Sequence, residues 1–326
     1  MRVFVAGASG ALGSRLVPQL IDAGHDVVGT YNSPPKADLL RTLGAKPVQL
    51  DLLDASAVRK AVLDSEPEAI VNEATALADA VWGRDFDRVF TRTNALRTTG
   101  TDALLAAARE AGVRRVVAQS FASYRYERQG GPVKTEDDPL DPAAPSNAQQ
   151  SWAAMDYLDR AVTEAGGVVL RYGVFYGAAN DGLIAPVRKR QYPIIGNGEG
   201  YSSWIHLDDA AAATLLALEA EGPAIYNVVD DEPAPVREWL PVLAQALDAK
   251  QPRRFPAWLA RLFAGDAAVV MSTEARGASN AKAKRELGWT LRHPSWRTGF
   301  FATYAAASVA DRPRLQPATR PTHSPG

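Results

Sequence analysis

Short apolar, β-rich runs alternate with stretches of helical periodicity through the first two thirds of the chain. The runs predict strands at Arg2–Ala6, Asp26–Thr30, Pro47–Gln49, Ala69–Glu73, Arg115–Ser120 and Gly167–Arg171. The stretches between them predict helices at Leu12–Ala23, Lys36–Leu43, Ser56–Asp64, a long one from Phe86 into Thr101–Ala111, and Ser151–Ala165. Strands separated by helices make βαβ units, and βαβ units make a parallel sheet. Gly24, Gly44 and Gly112 stand where helices end, the place for a left-handed C-cap residue.

After Tyr176 the alternation breaks. Residues 177–201 are loop-rich, the stretch from Trp204 reads as a short strand and a helix, and Ile225–Val229 reads as a late strand. From Glu232 onward, Pro233, Pro235, Pro241, Pro252 and Pro256 punctuate helices, which suits a small irregular lobe more than a sheet. The expected architecture is α/β: a doubly wound parallel sheet (Rossmann) over residues 1–176, joined by 204–230. A smaller C-terminal α+β substrate lobe covers 177–203 and 231–305. Residues 306–326, rich in Pro, Arg, Thr and Ser without apolar period, are expected to be a disordered tail.

Charge and composition narrow the partners. Lys plus Arg total 36 against 37 Asp plus Glu in 326 residues, so no field is available to recruit nucleic acid. There is no cysteine, and the four histidines, His25, His206, His293 and His323, are too far apart in sequence to suggest a metal cluster. No metal is expected. No apolar run approaches the roughly 20 residues of a membrane span, and the opening strand runs into a glycine turn rather than a signal segment. A cytoplasmic protein acting on a small molecule, with neither nucleic acid nor membrane as partner, is the expectation.

Gly7, Gly10 and Gly13 fall between the first strand and the first helix. There the first glycine permits a tight turn, the second lets backbone approach a pyrophosphate, and the third lets helix pack on strand. The loop including Ser9, Ala11 and Leu12 is thus expected to bind a nicotinamide dinucleotide on a helix N-terminus. The second strand and its exit, Val27 to Ser33, hold no acid to accept ribose hydroxyls. With Thr30, Asn32 and Lys36 there, and Arg41 further on, NADP is favoured and NAD remains an alternative; an exposed helix face is the other reading of Lys36 and Arg41.

Further residues follow in a set order: Asp51-Leu52 after the third strand, Asn72-Glu73-Ala74-Thr75 after the fourth, Asn94, Ser120 with Tyr124, Arg171 to Gly177, His206 to Ala210, and Tyr226-Asn227-Val228. Together with the glycine loop, this resembles the extended short-chain dehydrogenase/reductase superfamily, the NAD-dependent epimerase/dehydratase family, over roughly residues 1 to 300. The resemblance implies that Asp51 accepts from the adenine amino group beside Leu52, and that Ala74 and Thr75 line the middle of the dinucleotide. It implies that Asn94 supports a water near the nicotinamide, and that Tyr172, Val174 and Phe175 contact the nicotinamide side. The bland alternatives are that Asp51 caps a helix, Asn94 is a buried helix polar group and Phe175 is core. Asp208 and Asp209 read as N-caps of the following helix.

The family's catalytic set is a Ser, a Tyr and a Lys four residues after the Tyr, a spacing that stacks the last two on one helix face. Ser120 matches the serine. Where the pair should fall, Ser151 or Trp152 stands for the Tyr and Met155 or Asp156 for the Lys. The chain is therefore identified as an atypical member. Its expected function is that of an NAD(P)-dependent oxidoreductase acting on a sugar nucleotide or other carbonyl or hydroxyl compound. Ser120 and Tyr124 are then the catalytic candidates, with Tyr126 and Tyr157 behind them. The alternatives are a catalytically silent NAD(P)-sensing regulatory protein and a redox-neutral isomerase or dehydratase. Arg188, Lys189 and Arg190 are candidates to face a diphosphate, Tyr201 and Trp204 to close over a hydrophobic ligand, and Arg276, Asn280, Lys282 and Lys284 to fix substrate. A homodimer through Asn94–Ala111 and Ser151–Ala165 is expected by analogy.

Overall fold

A computed structural model describes residues 1–77, 84–122, 125–178 and 182–310. Seven strands form one parallel sheet: β1 (Arg2–Ala6), β2 (Asp26–Tyr31), β3 (Lys46–Gln49), β4 (Ala69–Asn72), β5 (Arg115–Phe121), β6 (Val168–Tyr172) and β7 (Ala224–Val228). Their order across the sheet is β7-β6-β5-β4-β1-β2-β3. The chain reverses direction between β1 and β4, the switch point outside whose strand ends a doubly wound sheet binds its ligand.

The alternation within β1 divides the core. Val3 and Val5 pack with α1 (Gly13–Asp22) and with α8 (Leu207–Ala217), through Leu16, Val17, Leu20 and Ala210. Phe4 and Ala6 point the other way, to α3 (Ala55–Ser65) and α5 (Thr101–Glu110), through Val58, Val62, Leu104 and Ala107. Both faces of the strand are covered, which is why it reads as an unbroken apolar run. The other helices on this scaffold are α2 (Pro35–Thr42), α4 (Phe86–Ala95) and α6 (Gln149–Glu164). A single π turn, Leu96–Gly100, joins α4 to α5. Gly24, Gly44 and Gly112 have φ of +81°, +90° and +71°, as their positions at helix ends demand.

The C-terminal lobe carries α7 (Ile184–Arg188), α9 (Val236–Ala246), α10 (Ala257–Thr273), α11 (Ala281–Leu287) and α12 (Trp296–Ala310). Its core is aromatic: Tyr176, Trp204, Trp239, Trp296 and Phe300 are all buried together. Two expectations are corrected here. Pro241 does not interrupt a helix but lies inside α9. Helix α12, anchored by the wholly buried Trp296 and Phe300, continues to Ala310, so the segment from 306 begins as helix. Residues 311–326 of the expected tail lie outside the described residues.

Candidate active site

The glycine loop is shaped by what surrounds it. Gly7 has φ +83°, and a Cβ there would stand 2.8 Å from the backbone carbon and oxygen of Glu73; a Cβ on Gly13 would stand 2.5 Å from Ala8 O. Gly10 N donates to Gly7 O at 2.9 Å, closing the turn. Thr30 does not face a ligand: it is buried, and its Oγ1 accepts from Gly7 N at 3.0 Å, tying the loop to β2. Leu12 packs in the core, so only its backbone is offered. Gly10 and Ala11 are exposed, and the amides of Ala11 and Leu12 have no acceptor among the described residues. Donors left open at the positive end of α1 fit a pyrophosphate, and the residues present fit a dinucleotide.

At the adenosine end, Asn32 is exposed and Lys36 half-buried, beside a β2 exit without a carboxylate. Arg41 is taken by Asp38 at 2.6 Å. Asp51 does not cap a helix: Asp54 caps α3, accepting from Ser56 N and Ala57 N, while Asp51 accepts from Leu53 N at 3.1 Å and pairs with Arg92 at 3.1 Å. Leu52 is buried beneath it. At the middle of the crevice Ala74 N donates to Asn72 Oδ1 at 3.3 Å, and Thr75 is exposed. Val174 pairs in register with Trp204, and Phe175 packs against the sheet core. Tyr172 is wholly buried, its hydroxyl donating to Glu73 Oε1 at 3.1 Å and meeting Thr214 Oγ1 at 2.6 Å, so this hydroxyl serves the core. Burial pushes the Glu73 carboxyl up to about 8, against the bond from Tyr172.

The geometry occupies the hydroxyls of two tyrosines, Tyr157 on α6 and Tyr126 in the segment after β5. Tyr157 points outward and donates to Asp102 Oδ1 at 2.6 Å. Tyr126 is fully buried, donating to Asn227 Oδ1 at 2.7 Å. Tyr124 lies outside the described residues. Ser151 is fully buried; its hydroxyl donates to Asp87 Oδ1 at 2.7 Å and accepts from Asn94 Nδ2 at 3.1 Å. Asn94 therefore anchors α6 to α4, and its Oδ1 has no partner among the described residues. One turn along, Met155 enters an apolar cluster with Phe86, Phe90 and Trp152, flanked by the partly exposed Leu77, Phe121 and Met271.

Ser120, at the C-terminal end of β5, accepts from Arg125 Nη1 at 3.1 Å. Arg125 is itself 1% exposed. The same nitrogen reaches Asp159 Oδ2 at 3.1 Å, and Nη2 is bonded to Asp156. Arg171 Nε donates to Asp159 Oδ2 at 2.9 Å from β6. Burial pushes the Asp159 carboxyl up, but Arg125 and Arg171 outweigh it and hold it below the usual carboxylate range. Sequence reading missed this bracket; Arg125 stood in the run Ser123 to Arg128, which was read for Tyr124 and Tyr126 alone.

Two sequence-distant histidines meet, contrary to expectation. The His206 and His293 rings stack with centroids 3.8 Å apart, and Asp208 completes a group of ligand-type atoms within 4.8 Å. The arrangement is spoken for, however. His206, not an aspartate, caps α8, its Nδ1 accepting from Asp208 N at 3.1 Å, while Asp208 faces Arg15 at 3.6 Å. Asp209 accepts from the amides of Arg292 and His293, both at 2.8 Å, fastening the lobe to the sheet. Burial, then the neighbouring His293, pushes His206 down to about 4, so the His206 ring is uncharged near neutrality. Trp204 is buried in the aromatic core and does not close over a ligand. Asn280 donates to Val229 O and Asp231 Oδ1, Lys284 pairs with Asp231, Arg276 donates to Arg128 O and Lys282 lies over the Tyr226 ring, so these candidates bind the lobe together. Arg190 donates to Gln251 O, and the cluster from Arg188 to Arg190 is largely exposed.

The fold, the open glycine loop and the crevice beyond β1, β4 and β5 define a nicotinamide-dependent enzyme of the Rossmann type. The chain belongs to the NAD dependent epimerase/dehydratase family, whose model matches residues 3–228. It is an NAD(P)-dependent oxidoreductase acting on a small molecule. A 3-diazoavenalumate denitrifying reductase from a Streptomyces species is 41% identical over 313 residues, spanning 92% of this chain and 99% of the relative. A 4-hydroxy-2-methyl-3-oxo-4-farnesyl-3,4-dihydroquinoline-1-oxide ketoreductase from Stigmatella aurantiaca is 28% identical, spanning 77% of this chain and 74% of the relative. Among solved structures, UDP-glucose 4-epimerase from Thermus thermophilus in complex with NAD superposes with a TM-score of 0.71 at 25% identity, over 93% of this chain and 98% of that one. Among the described residues no helix is long and apolar enough to cross a membrane.

Proposed function

We propose that the protein reduces a diazo compound in its diazonium form, replacing N2 by hydrogen at carbon, with NADPH as reductant. The observation that carries this reading is the buried Ser151, locked between Asp87 and Asn94 one turn from Met155, at the place where the resemblance expects a proton-donating tyrosine and its lysine. Carbonyl reduction generates an alkoxide that must be protonated, and neither side chain can do it. Loss of N2 generates no oxyanion. The reduced nicotinamide supplies a hydride whose electron pair forms the new C–H bond while the C–N pair leaves on N2, so charge and atoms balance without a proton.

What remains for the protein is positioning, which alone removes much of such a barrier. Phe121 and Met271, both partly exposed, offer an uncharged wall with Met155 buried behind them, and a methionine in place of a lysine leaves no repulsive charge near the path of a cationic diazonium group. The Streptomyces relative, whose name is that of a denitrifying reductase of a diazo acid, aligns over 92% of this chain and 99% of its own length at 41% identity. The choice of NADPH rests on the acid-free exit of β2 with Asn32 and Lys36 beside it, where a 2′-phosphate meets no carboxylate. Ser120 stands at the C-terminal end of β5 but is buried, its hydroxyl bonded to Arg125 and Asp159, so it supports the strand end and is given no contact with substrate.

The test is an assay of the purified protein against an aromatic diazo acid and a panel of ketones, reading both cofactor oxidation and N2. Oxidation of NADPH in step with N2 release, faster than with NADH and without ketone turnover, is the expected result. Ketone reduction in the absence of N2 would overturn the reading.

A further inference from the structure

We propose that the protein seats on an anionic membrane surface through the first half of α10 and the basic segments beside it; this goes beyond the function proposed above and does not rest on it. Gly265, with φ +82° and a non-helical backbone, ends a segment of about two turns that begins at Ala257. Ala257 and Ala260 pack inward with Ile195 and Phe255. At about 100° per residue, Trp258, Leu262 and Phe263 spread over about 140° of the opposite side. They are 68%, 53% and 71% exposed, the three most exposed large apolar side chains among the described residues. A helix lying on a protein core ordinarily turns its large apolar residues inward. This one is reversed, with small residues in and large ones out.

Charge decides what that face meets. The chain enters α10 from Arg254–Phe255, which pairs in parallel with Ile194–Ile195. Ile194 N donates to Arg253 O at 2.8 Å and Arg190 Nε to Gln251 O at 3.0 Å, so two basic runs lie side by side. They hold Arg188, Lys189, Arg190, Lys250, Arg253 and Arg254, and across 183–196 and 246–256 the one acid is Asp248. None of the six cations has a carboxylate within ion-pair distance among the described residues. Phe255 packs toward α10, so Arg253, two residues earlier on extended chain, turns to the same side and borders the apolar face. Large apolar side chains flanked by unneutralised cations make an interfacial helix, whose apolar face sinks roughly 5–10 Å among anionic headgroups. A second copy docked about a two-fold axis would set these cations against themselves. A protein groove takes a narrow stripe repeated along several turns, whereas this arc is broad and stops at Gly265. A planar, fluid, anionic surface fits both features. Such a contact needs no spanning helix, and it reverses the expectation of no membrane partner, which rests on the lack of one.

The test floats the full chain with vesicles of phosphatidylcholine alone and of phosphatidylcholine with one third phosphatidylglycerol, at low and at physiological salt. The expected result is flotation with the anionic vesicles only, weakened by salt. Trp258→Ala, Leu262→Ala and Phe263→Ala combined in one variant, and Arg253→Glu with Arg254→Glu in another, should each raise the lipid needed for half-flotation by about tenfold or more. Melting temperature and NADPH affinity should stay unchanged, because all five side chains are exposed and none belongs to the glycine loop. Where the triple variant melts early, Phe263→Ser, at the most exposed of the three positions, runs the same comparison. Wild-type protein that stays in solution with anionic vesicles at low salt overturns the proposal. A dimer that the triple variant abolishes, or capture of polyglutamate without vesicle binding, would then assign the face to a second copy or to an acidic protein respectively. Flotation that neither variant weakens overturns the proposal as well, because lipid is then met elsewhere on the molecule.

Discussion

Glu73 and Gly7 share one small space. The backbone of Glu73 lies where a Cβ of residue 7 would go, and the Glu73 side chain turns into the core to meet Tyr172. A carboxyl in that setting keeps its proton in the folded state up to about pH 8 and loses it near 4.5 when unfolded. The folded state therefore binds more protons across that window, and stability falls as pH rises from 4.5 to 8. Glu73→Gln keeps the acceptor for Tyr172 and cannot ionise. Its melting temperature should exceed that of the wild type by a margin that grows across this range, with an upper limit of roughly 1.4 kcal/mol per pH unit, as thermal melts at several pH values would show. An equal margin at every pH would contradict a buried, titrating Glu73.

At the scale of elements, α4 and α6 are coupled by the Asp87, Asn94 and Ser151 bonds where the resemblance expects a tyrosine hydroxyl to emerge into the crevice. Ser151 is fully buried, so Ser151→Tyr introduces a ring into filled space and removes the two hydroxyl bonds. Overpacking of this kind costs about 1–3 kcal/mol. Thermal melting should show that loss, and ketone assays of the Ser151→Tyr, Met155→Lys double variant should show no gain of activity. The elements themselves were legible in the sequence because strand runs, glycine caps and the glycine loop are local signals. Arg125 with Asp159, 34 residues apart, was not, because only the adjacency of β5, β6 and α6 brings them together. Thr30 and Tyr172 were misread for the converse reason: their positions beside the crevice were legible, but not the inward bonds to Gly7 N and Glu73 that occupy them.

Across the whole molecule, the lobe is fastened to the sheet domain through Asp209, which accepts from two consecutive amides just before α12. Asp209→Asn retains one acceptor and sets an N–H against the other amide, a buried mismatch of about 1–3 kcal/mol. Its melting temperature should fall, while dinucleotide binding at the glycine loop, measured by calorimetric titration, should hold. Loss of binding with an unchanged melting temperature would contradict this division of labour.

The central claim concerns the carbon that receives the hydride. NADPH carrying deuterium at its transferable position, turned over with an aromatic diazo acid, should give a product with one deuterium on the carbon that bore nitrogen and one equivalent of N2. A product that takes its hydrogen at that carbon from solvent, or deuterium found only on a carbinol carbon, would contradict the account.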